Sequence, residues 1–288
     1  MATVAADDVA VAAGWRATLG ANPALFGGLA IVGGVAVLAL LAPLIAPFSP
    51  VKADPSASLL APGGEHLLGT DPSGFDILSR LLYGARADLM IGLLGTIVAM
   101  GLGGAIGLGI GVVGGAVDAV VSRLVDLLQS IPLFVSALLL VTLFGQRMTN
   151  IIIAVTVVYL PLYVRTFRAE TRTLQERTFV RAARIGGATE LQVLWRHVLP
   201  NAMAPALGQW ATSVGWAILM ASGLGFVGAG LKPPTAEWGS MVSGGASLVA
   251  TGEWWVAFFP GAAIALTVAG FALLSEGIEQ RLDPRRRR

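Results

Sequence analysis

The stretch VRAARIGGATELQVLWRHVLPN, Val180 to Asn201, sets arginines and small residues between two long apolar runs. A chain dominated by apolar segments has little use for such an island unless something outside the membrane reads it. On a helix, Ala182, Ala183, Gly186 and Gly187 form a small-residue patch that lets another surface approach the backbone. Thr189 and Glu190 can turn the chain, and Pro200 is tolerated in the first turn of the next helix. A short rigid knob seated in a partner's cleft would have this composition. So would an ordinary amphipathic loop whose charges are merely solvated, and the spacing of small residues does not choose between them.

Working outward, the 288 residues are 55% hydrophobic and 12% charged, with a mean hydropathy of +0.77. Soluble domains carry about 25% charged residues, so the composition is that of a membrane protein. The 37 glycines suit transmembrane helices that pack through small side chains. Without cysteine there is no disulfide, thiolate metal site or cysteine nucleophile. The net charge of +2 gives no support to nucleic-acid binding.

About twenty apolar residues cross a bilayer. The spans are expected at Leu25–Pro47, Leu89–Val117, Val120–Gly145, Ile151–Val164, Ala202–Gly230 and Trp254–Ser275. In the second, Gly92, Gly95, Gly101, Gly103, Gly104, Gly107, Gly109 and Gly111 suggest close helix contact. The runs are too long and too evenly apolar for barrel strands, so all six are read as helices. The first run lacks a small-x-small cleavage site and is read as an uncleaved span behind a cytoplasmic leader, residues 1–24. Between the first two spans, segment 48–88 contains Phe75, Leu78, Leu81 and Leu82 near helical spacing. It is read as carrying a short amphipathic helix on the outer surface, with Asp76, Ser79 and Arg80 facing away.

Orientation follows from the positive residues. With the N-terminus inside, the inner segments hold Arg16, Arg123, the arginines from Arg165 to Arg196, Arg281 and Arg285–Arg288, leaving Lys52, Arg80, Arg86, Arg147 and Lys232 outside. The positive-inside rule places both termini and the loop 165–201 in the cytoplasm. The five spans with this loop make up a core, 89–277. The tail 278–288 is read as an anchor to anionic headgroups. Trp238, Trp254 and Trp255 fit an interfacial aromatic belt.

Several chemistries lack their residues. The two lysines are followed by Ala53 and Pro233, so no P-loop can form. His66 and His197 fall on opposite sides of the membrane and cannot share a metal. Asp88 and Asp118 bracket the second span at its ends, where ionisable groups are cheap, and paired carboxylates inside the membrane are not expected. An ion-coupled secondary transporter would need intramembrane charges or broken helices; Pro132 and Pro161 are the positions that could break them. An intramembrane hydrolase would need a Ser–His or metal constellation within the bilayer.

The island resembles the cytoplasmic coupling loop of ABC-importer permeases, whose pattern is Glu-Ala-Ala, three residues, Gly, nine residues, Ile-x-Leu-Pro. Here the positions read Arg181, Ala182, Ala183, Gly187, His197, Leu199 and Pro200. Arg181 replaces the acidic residue, and His197 the aliphatic one, as is usual in the peptide and nickel branch. LGTDPSGFDILSRLLYGAR (Leu68–Arg86), VGGAVDAVVSRLVDLLQSIP (Val113–Pro132), LGFVGAGLKPPTAEWGSM (Leu224–Met241), WWVAFFPG (Trp254–Gly261) and LDPR (Leu282–Arg285) are similar to further signatures of that branch in the same order. Phe75 stands where an Arg is usual, and Ala221 where a Glu is.

The resemblance implies an all-α membrane protein with the six-helix type I importer permease fold in the bacterial inner membrane. It implies the second, non-catalytic permease subunit of a dipeptide, oligopeptide or nickel importer. The expected partners are a homologous permease, one or two kinds of ATPase subunit that bind ATP and Mg²⁺, and an extracytoplasmic substrate-binding protein. The coupling surface would comprise Arg181, Ala182, Ala183, Gly186, Gly187, Ala188, Thr189, His197, Leu199 and Pro200. Arg80 and Arg86 would lie near the docked binding protein, unless they are solvated or lipid-facing charges. Peptide is the commoner substrate of the branch; nickel or a metallophore is the alternative.

Overall fold

A computed structural model of the chain describes residues 22–282. Most of the leader, including Arg16, and the basic residues Arg285–Arg288 lie outside the described residues. The regular structure among the described residues is helical, the only sheet-like pairing being two isolated bridges, Gly63 with His66 and Thr70 with Asp76.

Helix α1, Pro23–Ile45, starts on Asn22, whose side chain accepts the Leu25 amide at 3.1 Å. Pro23 at the first helical position costs no hydrogen bond. The Asn22 amide group also donates to Gly277 O at 3.1 Å, tying α1 to the end of helix α10, Trp255–Leu282. Gly28 and Gly277 sit so close to Leu274 and Leu25 that no β-carbon would fit at either.

Helix α2, Ile77–Val113, has 37 residues, about 55 Å at 1.5 Å per residue. A hydrocarbon core is about 30 Å thick, so α2 extends well beyond one. This corrects the expected start at Leu89: residues 77–88 are the first turns of α2, not a separate surface helix. Ser79, Arg80 and Asp88, read as outward or terminal, are buried. The helix begins where Asp76 accepts the Ser79 amide at 2.7 Å, and it ends at Gly114, whose φ of +63° suits glycine.

The glycines of α2 divide by partner. Gly92, Gly95, Gly103, Gly104, Gly107 and Gly111 face Ile218, Val155, Tyr163, Phe167, Val164 and Thr171, whereas Gly101 and Gly109 have nothing within 4 Å. The first group lets α2 press against α5, Met148–Gln175, and α8, Leu199–Phe226. The main core fills that seam with Ala99, Val155, Tyr163, Phe167, Ala206 and Ala217.

Two expectations about breaks resolve differently. The third span is not continuous: α3, Gly115–Gln129, and α4, Leu133–Phe144, meet at an 84° bend around Ser130–Pro132. Proline lacks the amide a continuing helix needs, and it biases the preceding residue away from the helical region. Pro161 lies within unbroken α5, which continues past Val164 to Gln175. The polar island is accordingly shorter than 165–201. By length and apolarity four helices can each cross a membrane, or five segments if α3 and α4 act as one.

At the end of the bundle opposite the arginine-rich segment, the chain between α1 and α2 folds back on the start of α2. His66 Nδ1 lies 2.9 Å from Asp76 Oδ1, and its ring stacks on Phe48 at 4.4 Å. The Trp255 indole N–H donates to Thr70 O at 3.3 Å. Helix α9, Trp238–Ala246, opens with Trp238, which is buried: its indole donates to Leu81 O at 3.0 Å. Trp238 and Trp255 are therefore packing residues and not part of an interfacial belt. Trp254 stays half exposed, edge-on to Phe258 at 5.5 Å.

Candidate functional site

The knob is built from a helix, a glycine turn and a second helix with a widened turn. Helix α6, Thr178–Ile185, follows α5 almost directly. It stops at Gly186, and Gly187 adopts φ +90°, a left-handed conformation that reverses the chain without a side-chain clash. Thr189 caps helix α7, Glu190–Val193, in a reciprocal box with Gln192, each accepting the other's backbone amide. Arg184 and Glu190 clamp the turn through two hydrogen bonds of 2.8 and 2.9 Å.

A turn of π-helix, Leu194–Val198, joins α7 to α8. Leu199 donates to Leu194 O, five residues back. The wider turn accommodates Pro200, which has no amide to offer Arg196 and would crowd its carbonyl in a regular helix. The knob thus runs into α8 as one helical rod.

Its residues sort into two sets. Val180, Val193 and Val198 are buried in the main core, with Ala183, Ala188, Leu194 and Leu199 packed against them. Arg181, Ala182, Gly186, Gly187, Thr189 and Pro200 are exposed. His197 is half-buried, its ring 6.3 Å from Phe179, and Asn201 donates to its carbonyl at 2.6 Å. The small residues do not form one face: Ala182 points out, Ala183 points in, and the glycines make the turn.

Reasoning from small residues missed the larger apolar ones. Ile185 is 89% exposed, Leu191 63% and Trp195 61%, with Phe179 beside them. A Trp inside an arginine-bearing polar segment was the available signal. Arg181 is exposed and makes no ion pair among the described residues. An anchored, internally capped projection that presents Phe179, Ile185, Leu191 and Trp195 among Arg177, Arg181 and Arg196 is suited to burial against another protein.

Arg80 and Arg86 part company. Arg80 is buried, its Nη1 donating to Pro50 O at 3.3 Å and Pro234 O at 3.4 Å while its guanidinium lies 4.5 Å from the Phe75 ring centre. It staples the segments around Pro50 and Pro234 together and is not a surface charge. Arg86 is exposed beside Tyr83. Asp88, expected as a group at the end of a span, is instead buried, as is Glu237, a carboxyl the sequence reading did not single out. The Glu237 carboxylate accepts the Gly239 amide at 3.2 Å and lies against Gly225 and Gly230, where no β-carbon would fit. Burial pushes the Glu237 pKa up to about 7.

A bundle of long apolar helices with an exposed apolar projection at one end is the build of a membrane component. The chain belongs to the family described as binding-protein-dependent transport system inner membrane component, which matches residues 77–288, and it is an inner-membrane permease. Residues 14–62 match the N-terminal TM domain of oligopeptide transport permease C. It is 40% identical over 264 residues to the dipeptide transport system permease protein DppC of Escherichia coli, covering 90% of this chain and 88% of that one. It is 37% identical to the di/tripeptide transport system permease protein DppC of Pseudomonas aeruginosa, covering 92% and 89%. With the dipeptide transport system permease protein DppC of Alkalihalophilus pseudofirmus the identity is 35%, over 90% and 84%.

Proposed function

We propose that the chain is one of two permease subunits of an ATP-driven importer of di- or oligopeptides. It crosses the inner membrane six times, the bent α3–α4 pair and α8 each counting as one crossing, with both termini and the knob in the cytoplasm. The clustering of arginines at the knob end supports this orientation. ATP and Mg²⁺ belong to separate ATPase subunits, and an extracytoplasmic binding protein delivers substrate to the opposite end. The relatives' peptide substrates favour peptide over nickel.

The observation that carries the reading is the knob: apolar side chains left in water on a projection whose own base is locked into the core. Closure of the ATPases would move it as a body. Because it is continuous with α8, the movement would tilt that helix against the partner permease and alternate the access of the pathway.

The test is purification of the tagged chain from its own membranes in mild detergent, with co-purifying proteins identified by mass spectrometry. A second permease and ATPase subunits are expected, and proteoliposomes of the complex with its binding protein should take up peptide only with ATP. Recovery of this chain alone from a preparation that transports without ATP would overturn the proposal.

A further inference from the structure

Helix α3 is held to the bundle along one flank. Asp118 and Val125 are its buried residues, while Val117, Val120, Leu124, Leu127 and Leu128 are exposed. The attachment runs antiparallel along α5. Asp118 accepts from Nε and Nη2 of Arg168 and from Nη2 of Arg172. Val125 then packs with Val164 and Ile110, backed by Val121 and Leu160. Beyond them Asp126 pairs with Arg165 at 2.5 Å, both about half exposed.

The two ends of α3 are joints. Gly114 and Gly115, with φ of +63° and +59°, connect it to α2, and the 84° bend connects it to α4. A helix between two such points is able to move as a rod. The arginines that hold it, Arg168 and Arg172, lie near the end of α5, just ahead of the knob helix α6. Charge-assisted bonds to a planar guanidinium hold both distance and direction, which a sliding apolar contact does not.

We infer that Asp118 is a positioning residue for transport: it clamps α3 to the knob end of α5, so that displacement of segment 178–198 is passed to the bent α3–α4 pair. The inference rests on the proposed docking of ATPases on the knob. Loss of the clamp leaves nucleotide hydrolysis running while α3 fails to follow.

The experiment uses the whole complex in proteoliposomes, measuring peptide uptake and ATP hydrolysis together. Asp118→Asn keeps the shape and removes the charge. It should assemble at wild-type yield, hydrolyse ATP, and import less per ATP hydrolysed by between about twofold and thirtyfold. Unchanged import per ATP overturns the inference.

The chain has no cysteine, so Asp118→Cys with Arg168→Cys, in cysteine-free partners, can be bridged by a short bifunctional thiol reagent. With a bis-methanethiosulfonate, which joins each thiol through a reducible disulfide and releases methanesulfinate, import should be low before bridging, recover with it, and fall again on reduction. Bridging without recovery, or failure of both variants to assemble, assigns Asp118 a purely structural role and overturns the inference. A wild-type complex that binds no ATPase would instead defeat the proposed function.

Discussion

Asp88 Oδ2 accepts the backbone amide of Trp238 at 3.0 Å, joining residues 150 apart at a point where both are buried. With the Trp238 indole on Leu81 O, this fixes the start of α9 against α2. Asp88→Leu would strand the amide and should lower stability by about 1–3 kcal/mol. Asp88→Asn keeps an acceptor and relieves the crowding of two carboxyls, and it should be tolerated. Thermal unfolding of the solubilised complex distinguishes the two.

Glu237 makes the same junction sensitive to pH. Its pKa is raised from 4.5 to about 7 by burial, so the folded chain holds a proton there that the unfolded chain releases. Stability from this group is fully present below about pH 4.5 and is lost as pH rises through about 7. The unfolding temperature should therefore decline across that window, and Glu237→Gln should flatten the decline. An equally steep profile in the variant would show that another group is responsible.

Gly187 has φ +90° and no atom within 4 Å of a β-carbon built on it. A side chain there meets strain, not a clash, at about 1–2 kcal/mol, and it projects from the exposed turn. Gly187→Trp should insert normally and abolish uptake by blocking the docked surface. Normal uptake by that variant would remove the turn from the coupling surface.

The two kinds of α2 glycine permit an internal control. A β-carbon on Gly107 would lie 2.5 Å from Val164 O, whereas one on Gly109 would meet nothing. Gly107→Leu should destabilise by about 1–3 kcal/mol or more through overpacking. Gly109→Leu should unfold with the wild type, and the comparison needs only melting curves of the two purified variants.

Read without coordinates, the chain disclosed its membrane character, the positions of its long apolar runs and the projection at 180–201, because these depend on local composition. Runs of apolar residues must lie in lipid or a core, and a polar island between them must leave it. A local breaker was legible at Pro132 as a position able to break a helix, although the expected third span ran through it, and Thr189 was legible as a turn residue and not as a cap. The start of α2 was not, because Ser79, Arg80 and Asp88 read as surface groups until their partners are known.

Those partners decided the rest. Arg80 is buried because carbonyls of Pro50 and Pro234 meet it, and Asp88 because the Trp238 amide does. Likewise Ala182 and Ala183 are neighbours of one chemistry, yet one faces water and the other the core. The sequence by itself determined which segments leave water and which segment stands out from them. The tertiary structure alone decided which polar groups go inside, since a buried charge is tolerable only where distant backbone is folded to receive it.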